Sequence, residues 1–163
     1  MDTKRYQINT LVELRAFATM LAAKLPIARL KTNAATVLAL RGQLGAGKTT
    51  FVQCLARAFK IKKAITSPTF LILQKYRLPA QAQHASKSEK MPFNWLYHID
   101  CYRLNGPGEL TRLGFEQLLV GPQLVVIEWA EKIQTLLPAH TIWLDFKPKT
   151  APRREIVLKW PKP

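Results

Sequence analysis

The stretch LALRGQLGAGKTTF, Leu38–Phe51, decides the fold. It contains a glycine, four further residues and then Gly-Lys-Thr, the phosphate-loop pattern. Gly42, Gly45 and Gly47 permit turns that side chains would block. The loop can then aim its amide N–H groups inward at phosphate oxygens. A helix opening near Lys48 adds its positive N-terminal end. In such a loop Lys48 reaches the β and γ phosphates, and the hydroxyl of Thr49 ligates Mg²⁺. The context agrees: Val37, Leu38 and Leu40 read as a buried strand, and Phe51, Val52 and Leu55 recur at helical spacing.

Working outward, Tyr6–Asn9 reads as a short strand, and Thr10 opens a helix through a capping box with Glu13. Leu11, Leu14, Phe17, Ala18, Leu21 and Leu25 keep helical spacing up to Pro26. The spacing predicts strands over Thr36–Gly42, in Ser67–Tyr76 after a turn, within Asn94–Leu104 and over Gln123–Trp129. Helices are predicted over Thr49–Phe59 and Glu109–Leu119. Thr141–Phe146 and Arg154–Trp160 read as a closing antiparallel pair. A polar surface loop, 79–92, is bounded by Pro79 and Pro92. The expectation is an α/β architecture: a single P-loop NTPase-like domain over 1–163, with a mixed parallel/antiparallel sheet flanked by helices.

With 163 residues, 48% of them hydrophobic, the composition is that of a chain with a real core and not of a disordered one. No apolar run approaches the roughly 20 residues of a membrane helix. The segment MDTKRYQINT carries charges and no apolar signal core, so no secretory signal is expected. The two cysteines, Cys54 and Cys101, have no metal or CxxC spacing. Beside a phosphate loop they suggest free thiols in a reducing cytoplasm. The net charge is +15. Its basic residues are scattered, with weak clusters at Arg57–Lys63 and Lys147–Arg154. That leaves open an RNA or acidic-protein partner on one side and a solvated basic surface on the other.

A phosphate-bound Mg²⁺ needs a second anchor, and two strands end in an acid: LVVIE in Glu128 and WLYHID in Asp100. A carboxylate there is costly unless it meets a cation or hydrogen bonds, so each is a candidate. TSPTF, Thr66–Phe70, falls where switch proteins sense the γ-phosphate, with hydroxyls at Ser67 and Thr69. A plain turn into a strand is the competing reading. His98 shares a strand face with Asp100. It either orients phosphate or water, or is a core-edge histidine satisfied by a neighbour. Arg103 is open between phosphate and an ion pair with Asp100 or Glu109. Trp129 is open between a partner, the nucleotide and the core.

Together GQLGAGKTTF, SPTFLILQKY, HIDCYRL, ELTRLGFE and VVIEW form an ordered series from Gly42 to Trp129. The series resembles the TsaE family (also called YjeE), bacterial ATPases of tRNA threonylcarbamoyladenosine biosynthesis. The resemblance implies slow Mg²⁺-dependent ATP hydrolysis in a complex with the TsaB and TsaD proteins, with tRNA nearby. In that complex TsaD performs the carbamoyl transfer, and ATP turnover resets the complex. By position, Gly45, Ala46, Gly47, Lys48, Thr49 and Thr50 match the family's phosphate loop. Thr49 and Glu128 match its Mg²⁺ ligands, and Ser67-Pro68-Thr69 its switch-like segment. Asp100 matches an acid that positions metal or water. Thr10, Leu11 and Glu131 lie where the family places nucleotide contacts. Arg153 or Arg154 corresponds to a late basic residue near the phosphates. Gln43 stands where the family commonly has Asp, which argues against a catalytic role for position 43.

Two other readings compete. A small-molecule P-loop kinase has a similar length, but usually carries lid arginines, and 79–92 has none. A basic RNA-binding module should show aromatic–basic interleaving, and the sequence shows none. The absence of a guanine-reading N-K-x-D leans toward ATP.

Overall fold

The computed structural model describes residues 1–25, 33–79, 93–150 and 153–161. Its elements are β1 (Asp2–Ile8), α1 (Leu11–Lys24), β2 (Thr36–Arg41), α2 (Lys48–Ala58), β3 (Leu73–Arg77), β4 (Trp95–Asp100), α3 (Pro107–Arg112), α4 (Phe115–Leu118), β5 (Gln123–Glu128), a 3-10 helix (Ala130–Leu136), β6 (Ile142–Pro148) and β7 (Arg154–Trp160).

Strands β2 and β5 are near-continuous apolar runs, as strands buried on both faces must be. Leu38, Leu40, Leu124 and Val126 pack on one face with α1 and α2. Val37, Ala39, Val125 and Ile127 pack on the other with α3, α4 and the 3-10 helix. All seven strands form one sheet in the order β1-β7-β6-β2-β5-β4-β3. The centre is parallel, β2 beside both β5 and β6 and β4 beside β5. Both edges are antiparallel: β3 on β4, and β6, β7 and β1 in succession. The α/β class and the mixed sheet are therefore as the sequence predicts.

Helix α1 begins where its capping residues place it. Thr10 Oγ1 accepts from the Glu13 N–H at 3.1 Å, and Glu13 Oε2 accepts from the Asn9 N–H at 2.5 Å. A succession of rings, Tyr6 to Phe17 (4.8 Å), Phe17 to Phe51 (5.8 Å) and Phe51 to Phe146 (5.7 Å), ties β1, α1, α2 and β6 together. It seats α2 against the sheet below the phosphate loop.

Three expectations need correction. The first strand starts at Asp2, not Tyr6, because its charged residues line an edge where Arg5 and Gln7 reach Glu155 on β7. The helix expected over Glu109–Leu119 is two short ones, broken at Gly114 (φ 75°). Basic–aromatic neighbours do occur, created by strand register: Lys75 and Arg77 lie 5.2 and 5.9 Å from the Trp95 ring centroid. They guard the sheet's outer strand β3 with charge. The polar loop 79–92, apart from Pro79, lies outside the described residues, as does Pro26.

Among the described residues no helix is long and apolar enough to cross a membrane. Cys54 and Cys101 are buried free thiols. Burial pushes the Cys101 thiol up to about 12, the Asp100 charge adding to the effect.

Candidate functional site

The parallel strands β2, β5 and β4 end side by side, with Leu40 opposite Glu128 and Glu128 opposite Asp100. Ligands in open α/β sheets collect at such carboxyl ends. Here the ends surround a cleft of about 260 Å³. One wall is the loop 44–50. The other is Ser67, Thr69, Asp100, Tyr102, Glu128 and Trp129.

The loop's shape depends on close backbone approach. Gly42 has φ 143°, and a Cβ there would stand 2.5 Å from the backbone carbonyl oxygen of Phe146. We expect Gly42→Ala to destabilise the chain by about 3 kcal/mol, through a disallowed backbone angle and a contact that β6 cannot relieve. Gly45 (φ 75°) has nothing within 4 Å of such a Cβ, so Gly45→Ala should cost only about 1 kcal/mol. Urea unfolding midpoints of the two variants compare them; equal shifts would refute the Gly42 argument.

Helix α2 starts at Lys48 with Gly47 as its cap, no capping side chain and no acid in its first turn. Its orphan N–H groups and positive end are left for an anion. Lys48 is only 4% exposed. Its Nζ donates to the carbonyls of Gly42 (2.6 Å) and Gln43 (3.0 Å) and lies 3.9 Å from the Trp129 ring centroid. Burial pushes the Lys48 ammonium below the usual lysine value, against the opposing charges of Glu128, Glu131 and Asp100. An arriving anion would offset the cost of that desolvation by favouring the charged form.

Neither strand-end acid reaches bulk solvent: Asp100 is 4% and Glu128 2% exposed. Each has the hydrogen bonds that burial demands. Asp100 Oδ2 accepts from Ser67 Oγ (2.9 Å) and Thr69 Oγ1 (2.5 Å), and its Oδ1 from the Tyr102 N–H (2.9 Å). Glu128 Oε2 accepts from Thr49 Oγ1 at 2.9 Å, and its Oε1 lies 2.8 Å from His98 Nε2. The Thr66–Phe70 segment is thus latched to Asp100 through its hydroxyls.

Two hard oxygens, Thr49 Oγ1 and Glu128 Oε2, meet beneath the phosphate loop. That donor set fits Mg²⁺, which takes one or two protein oxygens and completes its shell with phosphate and water. Among the described residues there is no group of three or more His, Cys, Asp or Glu that could hold a metal ion.

A family model described as threonylcarbamoyl adenosine biosynthesis protein TsaE matches residues 8–156. The chain belongs to the TsaE family. A tRNA threonylcarbamoyladenosine biosynthesis protein TsaE from Rickettsia prowazekii is 37% identical over 143 residues, covering 87% of this chain and 85% of that protein. The Treponema pallidum protein of the same name is 34% identical over 123 residues, covering 76% and 81%. The crystal structure of Bacillus subtilis YdiB matches with a TM-score of 0.66 and 25% identity, over 99% of this chain and 87% of that one. Family membership places the chain in tRNA threonylcarbamoyladenosine biosynthesis.

The residues singled out from sequence do not all gather in the cleft. Gly45, Ala46, Gly47, Lys48, Thr49, Thr50, Ser67, Thr69, Asp100 and Glu128 line it, whereas Thr10, Leu11 and Glu131 do not. Thr10 and Leu11 nevertheless sit at the same end of the sheet, just beyond Ile8, which is paired with Arg154. Of the two late arginines, Arg154 reaches the loop: its Nη1 lies 3.5 Å from the Ala46 carbonyl. Arg103 pairs with neither Asp100 nor Glu109; its guanidinium lies 4.1 Å over the Phe70 ring. Sequence reading missed Leu44 and Tyr102 as lining residues. It left Trp129 undecided, and the ring lies on Lys48 because the backbone turns left-handed there (φ 57°).

Proposed function

We infer that the chain binds ATP with Mg²⁺, hydrolyses it slowly, and acts in the cytoplasm with the TsaB and TsaD proteins, tRNA being part of the same assembly. The observation that carries this reading is the 2.9 Å meeting of Thr49 and Glu128 under an uncapped helix end. Lys48 and the loop amides would grip the phosphates. Thr49 and Glu128 would hold Mg²⁺, which when bound neutralises charge on the phosphate oxygens. Asp100 would position the attacking water, held meanwhile by three donors. A γ-phosphate competing for the hydroxyls of Ser67 and Thr69 would release that segment from Asp100. The exposed Phe70 and Leu71 next to it give the change a surface to be read from. Gln43 gives no carboxylate to the site, consistent with a purely structural place in the loop.

The small-molecule kinase reading remains the rival, and no observation in the cleft favours it. The test is ATP turnover measured alone, with a panel of small phosphate acceptors, and with the TsaB–TsaD pair plus tRNA. We expect slow basal turnover, raised severalfold or more by the protein pair. Stimulation by a small acceptor and none by the pair would overturn the proposal in favour of a kinase.

A further inference from the structure

The carboxylate at the end of β5 has a second hold that lies outside the cleft. His98 and Glu128 occupy adjacent parallel strands, and the register sets Asp100 opposite Glu128. His98, two residues back on the same face as Asp100, is therefore the diagonal neighbour of Glu128, within reach of a long side chain. Its ring is fully buried, 0% exposed, and its Nε2 lies 2.8 Å from Glu128 Oε1.

The tautomer follows from the partner. A carboxylate oxygen only accepts, so Nε2 carries a proton whichever charge the ring has. The other ring nitrogen, Nδ1, is buried with no hydrogen-bond partner among the described residues. A buried polar atom left unpaired carries a free-energy cost that an apolar side chain of similar size would avoid. Packing alone therefore gives no reason for a histidine here. The bond to Glu128 does.

Glu128 is held at both oxygens, by His98 at Oε1 and by Thr49 at Oε2. The Thr49 hydroxyl has one O–H and two lone pairs, so its hold on Oε2 is shared with whatever cation its oxygen meets. The His98 bond is made at the other oxygen, Oε1, and does not compete with a cation at Oε2. His98 does not line the cleft.

We propose that His98 is a positioning residue whose Nε2–H keeps Oε2 of Glu128 turned toward Thr49, and so sets the site's affinity for Mg²⁺ with nucleotide. This rests on the Mg²⁺-dependent reading of the cleft given above.

The experiment compares His98→Gln, His98→Asn and His98→Leu, each checked for folding by thermal melting. A glutamine amide reaches about as far as Nε2, whereas an asparagine amide stops near Nδ1. ATP affinity is measured by equilibrium dialysis in Mg²⁺ and in EDTA, and the ratio is the Mg²⁺ advantage. The Gln variant is expected to keep the wild-type ratio within about threefold, while Asn and Leu lose about tenfold of it, the usual scale for a lost partner of a metal ligand. Affinity in EDTA should not change. An Asn variant with the wild-type ratio, or a Gln variant that falls as far as Asn, would overturn the proposal. So would equal weakening in Mg²⁺ and EDTA. Should the Leu variant fail to fold, the Gln and Asn pair decides. A wild-type chain with no Mg²⁺ advantage would instead defeat the metal reading itself, and is distinguished by that control.

Discussion

Lys48→Ala is expected to lower ATP affinity by about 100-fold or more and to remove support of tRNA modification. A hydrogen bond from a charged donor is worth about 1.5–3 kcal/mol. Two such contacts to phosphate give about 3–6 kcal/mol, and about 1.4 kcal/mol is a factor of ten. The fold should survive, because Nζ now holds only two loop carbonyls, those of Gly42 and Gln43, against the Trp129 ring. Titration of labelled ATP, with thermal melting as a control, measures the effect. Near-normal binding by a folded variant would refute the phosphate-site assignment. A pH dependence belongs to the same prediction. Burial lowers the Lys48 proton affinity in the free protein, while a bound phosphate favours the charged form. Binding then takes up a proton, so affinity should fall as pH rises into the alkaline range, at lower pH than for an ordinary lysine. In Lys48→Ala this fall should be absent.

Glu128→Ala is expected to weaken ATP binding in Mg²⁺ by about 10- to 100-fold, the range for a disrupted metal shell, with little loss in EDTA. Removing a carboxylate beside the phosphates takes away a metal ligand and also a repulsive charge. The first matters only with metal present; the second favours binding without it. Isothermal titration in both buffers separates them, and equal weakening in both would make Glu128 merely structural. The alanine also strands His98 Nε2, so a stability loss of about 1–3 kcal/mol should accompany it. Glu128→Gln isolates the charge: an amide still accepts from His98 and donates toward Thr49. It should keep the stability and lose the Mg²⁺ advantage.

What could be read from sequence was local. The loop glycines, the Thr10 cap and the apolar strands carry their signals within a few residues, and α1, α2, β2 and β5 stand where those signals put them. The break at Gly114 was hidden because the apolar spacing of Leu110, Phe115 and Leu118 runs on across it. The 3-10 helix after Trp129 gave no warning, since a left-handed tryptophan is rare. The central position of β2 and the His98–Glu128 bond are matters of strand neighbour and register, which no spacing along one segment contains. The two acids were legible because each ends an apolar run. Thr49 was set beside Glu128 only through the family resemblance, and that Asp100 meets Ser67 and Thr69 was not legible at all.

The pairing of β1 with β7 joins residues as far apart in sequence as Asp2 and Trp160, and Arg5 reaches Glu155 150 positions on. On the ribosome β1 waits for β7, its sole neighbour in the sheet among the described residues. Contacts this distant form late. The same closing strand brings in Arg154, whose guanidinium reaches the Ala46 carbonyl. Nascent chains interrupted before β7 would have the loop 44–50 without this buttress, so synthesis itself delays the loop's full support until β7 emerges.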